Sequence, residues 1–234
     1  MTSNKSSNFV HIKNIFESIS NEYDFMNDLM TFRNHSKWKK EIAEIAIDSS
    51  PKRILDIATG TGDIAINLSK INGSKIEGVD ISGNMLKIAR KKINDLKIEN
   101  INLKICEAEN LVFEDNHFDI VSIGYGVRNF SNLEKGLSES YRVLKNDGKL
   151  IILETSVPEN TIIKILYTLI TRIYVPIIAF IFSGKTKAYL YLLDSTKNFP
   201  PKNRFIGMLY RTGFKKVEIR KKLYGASTIY IVSK

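Results

Sequence analysis

The stretch from Ile54 to Asp80 constrains this chain more than any other. Ile54-Leu55-Asp56-Ile57 reads as an apolar strand. It runs into Ala58-Thr59-Gly60-Thr61-Gly62-Asp63, and a helical pattern follows at once through Ile64, Ala65 and Leu68. Glycine carries no side chain, so a Gly-x-Gly turn lets a ligand touch backbone at the mouth of a helix. Ala65 completes a Gly-x-Gly-x-x-Gly/Ala spacing, and a second strand from Lys75 to Val79 ends in Asp80, twenty residues after Gly60. An acid at that distance is placed to accept from ribose hydroxyls. A tight turn alone explains the glycines, but not strand, turn, helix, strand and acid in that order.

The motif by itself leaves two kinds of ligand: a nicotinamide or flavin dinucleotide, and another adenosine cofactor. Asp56 and Asp63 flank the glycines, where they would repel a pyrophosphate. S-adenosylmethionine has no phosphate, and its sulfonium and amino group are cationic. The two acids therefore favour the methyl donor, and a nicotinamide-dependent oxidoreductase stays as the alternative.

A chain of 234 residues suits one α/β domain. The one cysteine, Cys106, excludes a disulfide framework and a cysteine-based zinc site. It ends the alternation Ile101, Leu103, Ile105, which points to a buried, inert thiol. No metal site is apparent. Met1 to Asn8 is polar and lacks the apolar core of a signal peptide, so residues 1–8 are expected to be disordered and the protein cytoplasmic. The net charge of +10 would suit nucleic acid, an anionic membrane surface, or lysine spread over solvated faces. Without an arginine-rich arm, zinc knuckle or aromatic-basic motif, nucleic acid is not expected as a partner.

Helices are expected from Phe9 to Ser20 and from His35 to Ile47, with a turn-rich stretch between them; Trp38, Ile42, Ile45 and Ala46 share one face of the second. Strands are expected near 53–58, 75–80, 101–106, 118–123 and 149–154, with helices between them. One helix spans Gly83 to Leu96. Another spans Asn132 to Leu144 and opens on a Ser131-x-x-Glu134 capping box. Asn146-Asp147-Gly148 reads as a turn before the fifth strand. Val217–Lys222 and Ala226–Val232 read as a closing hairpin.

The odd segment is Thr161–Phe182. It is long and apolar, but Lys164 and Arg172 fall inside it and Pro176 interrupts it, so two shorter helices forming an apolar lid are expected rather than a membrane span. Such a lid is a core-packing insertion, a wall for a long apolar substrate, or a face that touches membrane.

Four pieces of sequence now combine. They are Tyr23-Asp24-Phe25-Met26-Asn27-Asp28-Leu29-Met30 with His35 and Trp38; the Gly60-Thr61-Gly62-Asp63 loop; Phe118-Asp119 through Gly126-Val127-Arg128-Asn129; and Tyr141-Arg142-Val143-Leu144-Lys145 to Gly148 with Leu153-Glu154-Thr155-Ser156. With these the chain resembles the menaquinone/ubiquinone C-methyltransferases, a family of class I S-adenosylmethionine-dependent methyltransferases. The loop is common to many methyltransferases; the Tyr-Asp-x-Met-Asn and Arg-Asn pieces are specific.

The resemblance implies an α/β fold with a Rossmann-like seven-stranded, mostly parallel sheet, helices on both faces and the last strand antiparallel. The N-terminal helical cap would be 1–48, the cofactor-binding core 49–156, the apolar lid 157–200, and the C-terminal helix and hairpin 201–234, all one domain. It implies S-adenosylmethionine contacts at Gly60, Thr61 and Gly62, at Asp80 on the ribose, and at Glu107 and Ala108 beside the adenine. The family often has Asn at Glu107 and Ser at Gly124, so the adenine contact loses a donor and the second site a hydroxyl.

The reaction implied is C-methylation of a polyprenylated quinol, demethylmenaquinol first, with the ubiquinone-pathway quinol as the alternative. A ring carbon attacks the methyl group once a phenolic proton has left. Arg128 would stabilise the developing oxygen anion and Asn129 would orient it; a surface ion pair is the plainer account of Arg128. Tyr23 and Asn27 would line the substrate pocket, and Asp24 would attract the cationic cofactor or a phenolic proton. His35 is either a base or a histidine holding the cap together. An anionic membrane surface and a second copy of the chain are the macromolecular partners left open.

Overall fold

The computed structural model describes the backbone of residues 3–234 and side chains from Phe9 onward; Met1 and Thr2 lie outside it. Strands β1 (Arg53–Ile57), β2 (Lys75–Asp80), β3 (Ile101–Ile105), β4 (Phe118–Gly124), β5 (Leu144–Thr155), β6 (Lys216–Lys222) and β7 (Ser227–Ser233) form one sheet in the order β3-β2-β1-β4-β5-β7-β6. β1 to β5 pair in parallel, and β7 runs antiparallel to both β5 and β6. The expected topology is the one observed.

Side chains alternate along a strand, so apolar residues on both parities bury both faces. On one face Leu55, Ile57, Val121, Ile123 and Ile152 pack against α6 (Leu133–Val143) and α10 (Lys202–Thr212). On the other, Ile54, Ile76, Ile120 and Ile151 pack against α3 (Asn34–Ile47) and α4 (Asp63–Leu68). Trp38, Ile42, Ile45 and Ala46 form the buried stripe of α3 read from the sequence. The sheet order reverses between β1 and β4, and open α/β sheets bind ligands beyond the strand ends at such a switch point.

The local structure departs from expectation in five places, each with a physical cause. The turn-rich stretch after the first helix is itself helical: α2 (Tyr23–Thr31) follows α1 (Ser3–Ile19) through a short 3₁₀ turn and ends on Phe32 in the left-handed region. Residues 3–8, expected to be disordered, begin α1. Helix α6 is capped not by Ser131 but by Asn132, whose side chain accepts from Lys135 N at 3.2 Å. The acid of the box is replaced as well, since Glu109 accepts from Asn132 N at 3.1 Å. Asn146-Asp147-Gly148 lies within β5, where the pairing jumps from Phe118↔Leu144 to Ile120↔Lys149 and the surplus residues bulge.

The fifth departure is the lid. α7 (Thr161–Leu169) and α8 (Val175–Phe182) are joined by a π-helical turn, Ile170–Tyr174, into an unbroken rod of 22 residues. Pro176 cannot donate to the helix ladder and crowds the preceding turn; the widened turn ahead of it absorbs the conflict without ending the helix. α9 (Thr186–Asn198) then returns across the site.

Candidate active site

The carboxyl ends of β1 and β4 are held in unusual backbone. Ala58, Gly60, Gly62 and Tyr125 all have positive φ, at 54°, 56°, 85° and 57°. For Ala58 and Tyr125 this region is strained, which is typical of ligand-binding turns. A cleft of about 670 Å³ lies between these turns and α1, whose Phe9, Ile12 and Phe16 cover it. Glu17 fixes that cover by accepting from Gly83 N at 2.7 Å and Asn84 N at 3.2 Å, at the exposed N–H groups that open α5 (Gly83–Asp95).

Asp80 stands in the cleft wall, 8% exposed. Its Oδ2 accepts from Gly60 N and its Oδ1 from Ser82 N, both at 2.8 Å, so the acid at the end of β2 holds the glycine turn at the end of β1. Burial pushes its carboxyl up to about 6 against those two hydrogen bonds. Gly60 and Ala108 line the cleft with it. Thr61, Gly62 and Glu107 do not. Thr61 is turned away and donates to Asp24 Oδ1 at 2.6 Å. Gly62 begins α4 against Ala89, 3.1 Å from where a Cβ would sit. Glu107 is exposed, and Glu109, two residues on, lines the wall instead.

The two acids that favoured a cationic ligand also lie elsewhere. Asp56 is buried within β1 and accepts from Thr59 Oγ1 and Ser122 Oγ, both at 2.6 Å; burial pushes it up to about 6. Asp63 is paired with Lys39 at 2.8 Å and Lys92 at 2.7 Å; burial would raise its pKa, but the two ammoniums outweigh it and hold it well below the carboxylate range. Lys92 also meets Asp24 at 2.6 Å. Asp24 therefore bolts the cap to the glycine loop and faces neither ligand site. The electrostatic argument holds with different residues. Among the described residues, the cleft wall carries the acids Asp80 and Glu109 and no lysine, arginine or histidine. Asn129 adds a buried Oδ1 with no hydrogen-bond partner among the described residues, an acceptor left free at the cleft wall. Acids, a bare glycine turn and a free acceptor fit a cationic adenosine ligand and oppose a pyrophosphate.

A second cleft of about 1100 Å³ lies between the cap and the lid. Its wall is largely apolar and aromatic, from Met30, Trp38, Tyr167, Ile170, Val175 and Leu192. Tyr23 and Asn27 are in it, as the sequence suggested, and so is His35. Tyr23 and Tyr125 line both clefts and mark where their contents meet.

Arg128 is at the polar end of this second cleft and is no surface ion pair. Its side chain is 7% exposed and meets Glu154, which is fully buried, at 2.5 Å. Nε donates to Ser195 Oγ at 3.1 Å, and Nη1 donates to Tyr125 O at 2.8 Å as well as to Glu154 Oε1. The Nη2 hydrogens have no partner among the described residues and belong to a residue that lines the cleft. They are donors available to a ligand in the cleft. Burial opposes the charge on Arg128, but the Glu154 carboxylate outweighs it and raises the guanidinium pKa.

His35 is neutral, because burial, with Lys39 adding to it, holds its pKa down to about 4. Thr31 Oγ1 gives its proton to Asn27 O at 2.7 Å and so can only accept from His35 Nδ1 at 3.0 Å. The imidazole thus carries its proton on Nδ1. Its partners Thr31 and Asp28, at 3.7 Å, tie α2 to α3, which is the structural role the sequence had left open.

Sequence reasoning missed Glu154, Glu109 and Tyr125. A lone acid in the apolar run Leu150-Ile151-Ile152-Leu153-Glu154 was a usable signal, since a buried carboxylate needs a cation. Nothing local to the sequence marked the other two.

Comparison with known proteins identifies the family. The chain is 40% identical over 228 residues to the demethylmenaquinone methyltransferase of Chlorobaculum parvum, covering 95% of this chain and 92% of that one. It is 37% identical over 225 residues to the ubiquinone/menaquinone biosynthesis C-methyltransferase UbiE of Rickettsia felis, covering 94% and 90%. A solved structure from Thermotoga maritima, a possible histamine N-methyltransferase, superposes with a TM-score of 0.64 at 22% identity, over 94% of this chain and 99% of that one, a likeness of fold alone. The match to one family runs from residue 1 to residue 234: this chain belongs to the ubiE/COQ5 methyltransferase family.

Proposed function

We propose that this protein transfers a methyl group to a ring carbon of a polyprenylated quinol, with demethylmenaquinol as the substrate. The methyl donor is S-adenosylmethionine. The observation that carries the reading is the meeting of an acid-lined cleft and a large apolar cleft at Tyr23 and Tyr125, with free Arg128 donors beside the junction.

S-adenosylmethionine supplies an electrophilic methyl group on a sulfonium. Asp80 and Glu109 would hold its ribose and adenine end, and the free Asn129 oxygen would accept from its amino group. For the quinol, the Arg128 Nη2 hydrogens stabilise the oxygen anion left when a phenolic proton departs. That charge would raise electron density at the ortho carbon, which would take the methyl group as its bond to sulfur breaks, the electron pair staying on sulfur to leave S-adenosylhomocysteine. The ring proton then leaves and aromaticity returns. Apolar walls exclude water and receive the start of the prenyl tail.

The direct test offers reduced demethylmenaquinone and the ubiquinone-pathway quinol with methyl-labelled donor. Label on the ring carbon of the naphthoquinol is the expected result; transfer to neither quinol overturns the reading. Asp80 supplies a second test. Ribose hydroxyls favour its ionised form, whereas burial keeps it protonated up to about 6. Affinity for S-adenosylhomocysteine should therefore rise with pH through about 6 in calorimetry. Asp80→Asn should flatten that dependence and weaken binding by about 1–3 kcal/mol.

A membrane surface is the proposed source of the substrate. The most apolar stretch of the Thr161–Phe182 rod has a mean hydropathy of 2.0 and is only 17% buried, and the rod is by length and composition able to cross a membrane. Ile162, Leu166, Phe180 and Ile181 are exposed along it, while Val175 is buried and Ile178 and Ala179 pack against the cap. A helix anchored along one side and apolar on the other suits lying in the interface better than spanning it. Lys164, Arg172, Lys185 and Lys187 add attraction to anionic lipid. Sedimentation with anionic vesicles, weakening as salt rises, is the expected outcome. Replacing Phe180 and Ile181 by Ser should reduce it more than activity on a short-tailed quinol. Vesicles that never retain the protein would leave the rod as a pocket wall.

A further inference from the structure

The apolar cleft contains two pairs of hydroxyls, and only one of them has a proton to spare. Thr155 and Thr196 stand 3.2 Å apart. Thr155 also donates to Glu154 Oε1 at 3.1 Å, and Thr196 to Leu192 O at 3.3 Å, so both protons have acceptors. Tyr125 and Ser227 stand 3.2 Å apart, and neither hydroxyl has another partner among the described residues. Two hydroxyls hold two protons, and one bond between them uses one. The second proton, with the remaining lone pairs, is free at the wall of a cleft that both residues line.

The pair is rigidly placed. Tyr125 sits at positive φ, its N–H donates to Leu153 O at 2.7 Å, and its carbonyl accepts from Arg128. Ser227 is 4% exposed and is held opposite Thr155 by the β5–β7 ladder. Burial raises the Tyr125 pKa, so its hydroxyl keeps its proton. Arg128 Cζ is 5.9 Å from the centre of the Tyr125 ring, and Arg128, Tyr125 and Ser227 all line the one cleft.

We propose that the Tyr125–Ser227 hydroxyl pair binds the second oxygen of the acceptor ring, opposite the oxygen held by Arg128, and so selects rings with two hydroxyls over rings with one. This rests on the quinol reading above. It assigns specificity to Tyr125 and Ser227 and leaves the charge stabilisation to Arg128.

The test compares a short-tailed naphthoquinol with its one-hydroxyl analogue, which keeps only the hydroxyl ortho to the accepting carbon. The wild type should favour the quinol about tenfold in kcat/KM, the scale of one well-placed hydrogen bond. In Tyr125→Phe/Ser227→Ala the quinol advantage should fall toward parity, chiefly through KM, with thermal unfolding as the check on folding. An unchanged preference, or a parallel loss on both acceptors, overturns the proposal. A wild type that methylates neither compound would instead count against the quinol reading itself.

Discussion

Glu154→Ala should be among the most damaging single substitutions in this protein, lowering stability by about 3–5 kcal/mol. Glu154 is completely buried and accepts from Arg128 Nη1, from Arg128 N at 3.2 Å and from Thr155 N at 2.7 Å. Its loss leaves a guanidinium charge in an apolar wall, and several kilocalories of desolvation go uncompensated. At this chain length the shift in Tm is on the order of 10 °C. Arg128→Ala is the mirror case, with a stranded carboxylate. Neither single variant separates folding from chemistry.

The double variant Arg128→Met/Glu154→Leu does separate them. Replacing a buried ion pair by apolar residues of similar size is often neutral or stabilising. This variant should fold with a Tm near that of the wild type. Arg128 is absent from the wall of the cofactor cleft, so S-adenosylhomocysteine should still bind. Methyl transfer to the quinol should drop about 10²–10³-fold, the usual loss when an oxyanion donor is removed. A folded double variant turning over at full rate would remove Arg128 from the mechanism.

The pair also explains what sequence could and could not yield. The apolar runs and the glycine turn determined the sheet, because strand alternation and helix faces are local patterns. The Ser131-x-x-Glu134 box misled because the cap falls one residue later, at Asn132, whose own N–H is taken by Glu109, an acid distant in sequence. Pro176 misled because a π turn can take up a proline that propensity alone treats as a break. Asp56 and Asp63 fit the pattern of ligand-facing acids, yet Ser122, Lys39 and Lys92, each more than twenty residues from its acid, turn them inward. The positions of Asp80 at the end of β2 and of Arg128 just past β4 could be read from the sequence, because topology fixes where strand ends lie. The partners that set their charge come from elsewhere in the chain: Glu154 from β5, Ser195 from the lid.

Gly126→Ala should weaken cofactor binding tenfold or more while leaving most of the fold intact. A Cβ at Gly126 would lie 2.5 Å from Ala58 Cβ and 3.3 Å from Ile123 Cγ2, so the ends of β1 and β4 would have to part where the cofactor cleft begins. Ala58 cannot easily yield, since its own φ of 54° is already strained. Overpacking of this kind costs about 1–3 kcal/mol and moves backbone. Both residues line the cleft, so the displacement falls on the binding site rather than on the core behind it. Ala58→Gly should rescue the variant, because it removes the opposing Cβ and suits the left-handed backbone without strain. The double variant should recover affinity for S-adenosylhomocysteine to within a few-fold of wild type, well beyond what two independent changes would give. Full affinity in Gly126→Ala alone would mean that the close approach of the two strand ends does not shape the site.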